Sequence, residues 1–304
     1  MRNRQEHWCI WDFHLGLRCM IEISGLTKLY GEIRALDDVS FSVEKGEIVG
    51  FLGANGAGKT TTMDIMCGCI GSDGGSAKIA GYDITENPIE AKKRLGYLPD
   101  IPPLYPDMRV HEAISYAARL NKVPKAELDG RCGKMLAKLE LKSVENRLVG
   151  NLSKGYRQRV AFAQAMVHDP EVLVLDEPTE GLDPNQIVHI REMIKDLKGN
   201  HTVILSSHIL SEVQNICDRI VIINKGKVVT QGTYKELVSA LETSHVYHMR
   251  VRERPDEFVN LLAGLDGVSH AKVEDTSRNT IEFGIVRGED DNIIDTVAER
   301  ALPE

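Results

Sequence analysis

The sequence predicts an α/β protein with a mixed, largely parallel sheet core, an antiparallel β subdomain and a helical subdomain, followed by a small C-terminal α+β domain. Three observations carry this. Two nearly all-apolar runs, VLVLD at 172–176 and TVILSS at 202–207, flank the helical stretch NQIVHIREMIKDLKG, which is the pattern of parallel strands covered on both faces. The apolar run EIVGFLG leads directly into a glycine-rich loop and then a helix, TTMDIMCGCI. Between Pro102 and about Val167 the pattern is helical, in HEAISYAARLNKV, AELDGRCGKMLAKLEL and SKGYRQRVAFAQAMVHD.

The remaining elements follow in order. IEISGLTKLYG and ALDDVSFSVEKGE read as strands before the loop, and GSAKIAGYDI as a strand pair or edge after the turn GSDGG. DRIVIINKGKVVTQGT reads as a hairpin turning at Asn224 to Gly226, and YKELVSALE as a helix that closes a first domain over 20–243, with its helical subdomain at about 102–167. Residues 244–304 read as strand (HVYHMRV), helix (PDEFVNLLAGL), strand (SHAKVED), turn (TSRN), strand (TIEFGIV) and helix (DNIIDTVAERA). That order is βαββα, one strand short of a ferredoxin-like split βαβ sandwich. Residues 1–19 open on MRNRQEH, fit neither a secretory signal nor an ordinary strand, and are expected to be a disordered or non-native extension, with Met20 a candidate start.

With 304 residues the chain is long enough for about two domains at roughly 150 residues each. Its 42% apolar and 27% charged residues are ordinary soluble values, and no stretch has the ~20 uninterrupted apolar residues of a membrane-spanning helix, so direct membrane insertion is not expected. The net charge of -8 has the wrong sign for bulk attraction to nucleic acid or anionic lipid. Most of it lies between His245 and Glu304, where 7 basic residues face 13 acidic ones. Six scattered cysteines fit a reducing compartment, and Cys67 and Cys69, without a second pair or nearby His, read as helix packing in preference to a metal site.

GANGAGKT at Gly53 to Thr60 fits G-x-x-x-x-G-K-[ST] between a strand and a helix, the context that turns the pattern into a phosphate site. Gly53, Ala54, Asn55, Gly56, Ala57 and Gly58 supply a backbone cradle, Lys59 reaches β/γ-phosphate oxygens, the Thr60 hydroxyl can ligate Mg²⁺, and Thr61 is a second hydroxyl in reach. VLVLDEP adds Asp176 and Glu177 at the carboxyl end of a strand, where open α/β sheets place their ligands. Asp176 can hold Mg²⁺ through water, and Glu177 can orient or deprotonate an attacking water.

LSKGYRQRV (Leu152 to Val160), EGLDP (Glu180 to Pro184) and SSHIL (Ser206 to Leu210) complete, in order, a set that resembles the nucleotide-binding subunit of an ATP-binding cassette (ABC) transporter, over about Ile21 to Leu241. The resemblance implies a P-loop NTPase fold of the ABC ATPase type, hydrolysing ATP with Mg²⁺. The wording LSKGYRQR, with YLPDIPPLYPDM before it and the acidic tail after it, resembles the export-type branch that includes multidrug, copper-processing and gliding-motility ATPases. By that resemblance Tyr30 stacks on adenine, and Ser153 and Gly155 contact the γ-phosphate bound to the other copy of a head-to-tail homodimer. Asp183 couples the two sites, and His208 is the switch histidine. An integral membrane permease is the implied partner, at the cytoplasmic face of the membrane, and it selects the cargo. The tail is implied to be an accessory domain.

The sequence departs from the family pattern at Ile101, where a glutamine usually meets Mg²⁺ and water. Either Asp100 or a water substitutes, or hydrolysis is slow. Tyr156 replaces the terminal glutamine of the signature, and the chain stops where related chains continue into a last strand, which implies truncation or an unpaired edge. PPLYPDMRV, with Tyr105, Met108 and Val110, is a candidate permease-docking loop. Two other readings compete: a soluble ABC protein acting on ribosomes or DNA, which a single cassette with an acidic balance does not favour, and a weakly hydrolysing regulatory cassette, motivated by Ile101.

Overall fold

The computed structural model describes residues 19–241, 244–251, 255–265, 268–275 and 280–286. The N-terminal extension up to residue 18, the TSRN turn and the final helix expected from DNIIDTVAERA lie outside the described residues. In chain order the elements are β1 (Cys19–Tyr30), β2 (Ile33–Glu44), β3 (Ile48–Leu52), α1 (Lys59–Met66), β4 (Gly74–Ile79), β5 (Tyr82–Asp83), α2 (Pro88–Lys93), β6 (Leu95–Leu98), α3 (Val110–Leu120), α4 (Leu128–Lys138), α5 (Lys154–Met166), β7 (Val172–Leu175), α6 (Pro184–Lys195), β8 (Thr202–Ser207), α7 (Leu210–Val213), β9 (Arg219–Asn224), β10 (Lys227–Gly232), α8 (Tyr234–Leu241), β11 (Ser244–Arg250), α9 (Pro255–Ala263), β12 (Val268–Asp275) and β13 (Thr280–Val286). They fall into two compact units, divided in sequence between Tyr234 and Lys235.

In the first unit a six-stranded sheet runs β10-β9-β3-β8-β7-β6. Every pairing from β9 to β6 is parallel, and β10 is an antiparallel edge. All residues of β7 and β8 are buried, which is why their sequences read as continuous apolar runs. An antiparallel sheet, β2-β1-β4-β5, packs its alternating residues Ile21, Ile23, Leu36, Val39, Phe41 and Val43 into the same core. The rings of Phe41 and Phe51 meet there at 5.2 Å. Each such fully buried side chain contributes about 1.5–3 kcal/mol.

The helical subdomain is built from α3, α4 and α5. On α3 the buried residues Val110, Ala113, Ile114, Ala117 and Ala118 recur at helical spacing, and Glu112 accepts a hydrogen bond from the Arg109 amide at 2.8 Å to fix the helix start. Burial on α4 follows Leu128, Cys132, Met135 and Leu136.

The second unit contains α8 and a three-stranded antiparallel sheet in the order β11-β13-β12, so β13 lies between two strands joined through α9. One face of that sheet packs Ile281 and Phe283 with Leu262 of α9. No helix among the described residues is long and apolar enough to cross a membrane.

Candidate active site

β3 delivers the chain to Gly53 and α1 begins at Lys59, so the loop occupies the carboxyl end of the parallel sheet. Gly56 and Gly58 have φ of +77° and +108°, conformations that residues with a Cβ rarely adopt. A Cβ on Gly58 would also lie 2.7 Å from Leu36 Cδ2 and 2.9 Å from the Ala35 carbonyl, and one on Gly226 would lie 2.5 Å from that same carbonyl. The Gly226 amide donates to the Ala57 carbonyl at 2.9 Å, so β2, the glycine loop and the β9–β10 turn are pressed together. Ala54, Asn55 and Gly56 are exposed, and the first amides of α1 point out of its N-terminus without intrahelical acceptors, a ready anion site.

Lys59 is buried at 6% exposure and donates from Nζ to the Gly53 and Ala54 carbonyls at 2.8 and 3.3 Å. The same ammonium lies 3.2 Å from Glu177 Oε1, whose side chain is also buried. His208 Nδ1 donates to Glu177 Oε2 at 3.0 Å, which fixes the imidazole tautomer. Glu177 has a φ of +44°, a strained conformation for a residue with a side chain, and its amide is held at 2.7 Å by Ser206 Oγ.

Ser206 also donates to Asp176 Oδ1 at 2.5 Å. The other carboxylate oxygen, Oδ2, is buried without a hydrogen-bond partner. Burial raises the Asp176 carboxyl above its ordinary range, while the Ser206 and Thr60 side chains pull it down. A buried oxygen with spare lone pairs beside a threonine hydroxyl is a hard donor set that fits Mg²⁺. Asp100 adds a further carboxyl: with burial as the larger cause, the Asp100 and Glu177 charges and an Asp100 hydrogen bond raise Glu180. Ile101 instead points to solvent, at 83% exposure.

Lys59, Thr60, Asp176, Glu177 and His208 therefore converge. Thr61, in the first turn of α1, is half-buried. Tyr30 ends β1 at 50% exposure, with the Lys28 ammonium 5.6 Å from its ring centre. Ser153 and Gly155 belong to a different neighbourhood. Ser153 caps α5 by accepting from the Tyr156 amide at 3.4 Å, Gly155 packs on the Gln186 side chain, and Gln158 donates to the Pro178 carbonyl at 3.0 Å. Asp183 caps α6 through the Gln186 amide at 3.0 Å, with Pro184 in the first helical turn. His111, His168 and His201 each bond a backbone carbonyl, in keeping with structural histidines.

Sequence reasoning assigned no role to Ser206 and did not single out Glu212. The latter is buried and accepts from Thr179 Oγ1 at 2.7 Å and Ser207 Oγ at 3.2 Å, tying the ends of β7 and β8 together. The docking expectation needs one correction: Val110 is fully buried in the α3 core, whereas Tyr105 stays 52% exposed while packing edge-on against Tyr116. A groove beside β6, about 540 Å³, is lined by Pro103 at the start of that loop together with Tyr97, Ile101, Gln164 and Cys69. Cys67 is buried and Cys69 exposed, and burial pushes both thiols up, away from the thiolate that binds metals.

A family model described as ABC transporter matches residues 36–180. The ABC transporter ATP-binding protein NatA of Bacillus subtilis is 39% identical over 207 residues, 67% of this chain and 84% of that protein. The bacitracin transport ATP-binding protein BcrA of Bacillus licheniformis is 36% identical over 220 residues, 72% of this chain and 71% of that protein. Among solved structures, an ATP-binding subunit of an ABC transporter superposes with a TM-score of 0.68 at 30% identity, covering 73% of this chain and 93% of that one. The ATP-binding cassette MJ0796, solved as a dimer in a post-hydrolysis state bound to ADP and Pi, superposes with a TM-score of 0.65 at 25% identity, covering 70% and 98%. A glycine loop at a helix N-terminus, set against a buried lysine and glutamate, sits here in the fold of an ATPase, and the chain is a member of the ABC transporter ATP-binding protein family.

Proposed function

We propose that the chain works as a head-to-tail homodimer that hydrolyses ATP with Mg²⁺ to drive export through a separate integral membrane permease, docked at the cytoplasmic face of the membrane. The observation that carries this reading is the chain from buried Lys59 through buried Glu177 to the exposed His208 at the mouth of the glycine loop. Residues 53–58 and the start of α1 bind the phosphates through backbone amides, and Tyr30 offers an aromatic face to the base. Lys59 exchanges its contact with Glu177 for a β/γ-phosphate oxygen. Glu177 Oε1 is then released to orient or deprotonate the attacking water, while His208 keeps hold of Oε2 and turns toward the γ-phosphate. Asp176 and Thr60 would hold Mg²⁺, which would supply positive charge to the phosphate oxygens. Asp100 stands in for the glutamine that Ile101 replaces.

Ser153 and Gly155, which make no described contact with this cluster, complete the site of a second copy, with Asp183 coupling the two; the MJ0796 dimer supports this arrangement. The groove lined by Tyr97, Ile101 and Pro103 receives the permease, and the unit beginning at Lys235 is an accessory domain. Tagged Glu177→Gln protein, incubated with MgATP and detergent-solubilised membranes, is expected to co-purify with a polytopic membrane protein in stoichiometric amount. Recovery only as a soluble dimer, or with ribosomal proteins or DNA, overturns the transport reading.

A further inference from the structure

The second unit carries a cluster that the nucleotide chemistry does not use. Along β13 the side chains alternate: Ile281 and Phe283 enter the core, and Glu282 between them lies on the opposite face of the sheet. Register sets His248 of β11 and Lys272 of β12 directly opposite Glu282, one on each side. Directly opposed residues have Cβ atoms about 4.5–5.5 Å apart, so three strands deliver polar groups to one spot. Between Val273 and Asp275 the register slips by one, leaving Glu274 as the extra residue of a bulge, a device that re-aims a side chain. Glu274 Oε2 reaches 2.9 Å from His248 Nδ1, across the central strand. His270 joins from β12, with Nε2 3.5 Å from Glu282 Oε1.

We infer that this sheet face is a binding site for a divalent transition-metal cation of the Zn²⁺ class, held by His248, Glu274 and Glu282. One donor atom from each of these residues lies within 4.8 Å of the others, so small side-chain rotations bring all three to a common centre. A face built only for solubility would pair its carboxylates with lysine or arginine, as Lys272 does with Glu282 at 2.9 Å. An imidazole offers what a lysine or arginine cannot, a nitrogen lone pair for a metal. Mixed imidazole and carboxylate donors select Zn²⁺, Ni²⁺ or Cu²⁺ over Mg²⁺ and Ca²⁺, which take oxygen ligands. His270 is placed to complete the set. The Lys272 ammonium competes for the same carboxylate, so it sets the site's affinity by occupying it.

This inference is independent of the ATPase reading. The test uses the full chain, stripped with chelator and titrated calorimetrically with Zn²⁺, with Co²⁺ visible absorption as a second readout of ligand number. A saturable event is expected whose affinity falls at least about tenfold in His248→Ala and in Glu282→Gln, given that even outer-shell changes cost about 10–100-fold. Lys272→Met should bind more tightly than the parent, an outcome that misfolding would not produce. Titrations of His248→Ala and Glu282→Gln that superimpose on the parent curve, or weaker binding by Lys272→Met, overturn the proposal.

Discussion

Asp176 and Glu177 leave β7 almost wholly enclosed, whereas the side chains of Glu282 and Glu274 on the three-stranded sheet are 20% and 44% exposed. Both pairs have positively charged or imidazole neighbours, yet the Asp176 and Glu282 carboxyls move in opposite directions. Enclosure dominates at β7, where it raises the Asp176 carboxyl from its ordinary 3.8. The partner dominates on the open sheet, where a hydrogen bond from Lys272 lowers the Glu282 carboxyl from its ordinary 4.5. A parallel sheet covered on both faces concentrates the cost of charge at its strand ends, and that cost is what a catalytic site exploits. An antiparallel sheet with one wet face keeps its charges inexpensive and exchangeable.

The largest expected effect tests whether enclosure serves chemistry. Glu177→Gln should retain ATP binding while phosphate release falls by about 10²–10⁴-fold, the usual range for losing a positioned base. Unchanged turnover would remove Glu177 from the reaction and leave the enclosure without a catalytic purpose.

Ser206→Ala is next, because one hydroxyl serves both Asp176 Oδ1 and the Glu177 amide. Leaving both unsatisfied in the core should cost about 1–3 kcal/mol, read as a lower midpoint in urea unfolding at unchanged slope.

The raised Asp176 carboxyl makes a prediction about pH. Between 3.8 and its raised value the folded chain holds a proton that the unfolded chain has lost, so the aspartate withdraws stability as pH rises. Asp176→Asn should therefore melt at a higher temperature than the parent at pH 7 in chelator-containing buffer. The gain should vanish as pH falls below 3.8.

Glu282 gives the smallest effect and the opposite sign. Its lowered carboxyl contributes stability above 4.5 that is lost as pH falls through the lowered value. Glu282→Gln should lower the melting temperature slightly at neutral pH and not at all in acid, and added salt should erase the difference because the pair is exposed. A Glu282 effect with the sign of Asp176 would collapse the contrast between the two sheets.

The strongly patterned elements were legible because burial wrote itself into their sequences: VLVL and TVILSS are apolar throughout as every residue is enclosed. β6 was not legible as a strand. Four residues, Leu95–Leu98, are too few for periodicity, and Gly96 looks like a breaker. The reason for that glycine is tertiary, since a Cβ there would sit 2.2 Å from the Ala165 carbonyl. α2 and α7, of six and four residues, escaped for the same want of length. In the site, Lys59, Asp176 and Glu177 were legible from spacing, whereas Ser206 was not. Its place beside Asp176 follows from the parallel register of β7 and β8, where Leu175 pairs with Leu205, and register between strands so far apart in sequence is not written locally.

Gly226 and Gly58 press on one carbonyl, that of Ala35, from two sides. The hairpin that ends in Tyr30 and Ile33, the phosphate loop and the turn after β9 thus share a single mechanical joint. A substitution at Gly226 would be transmitted through Ala35 to the glycine loop at Gly58, so a genetic screen would score it as a lesion of that loop, although it lies far from the loop in sequence.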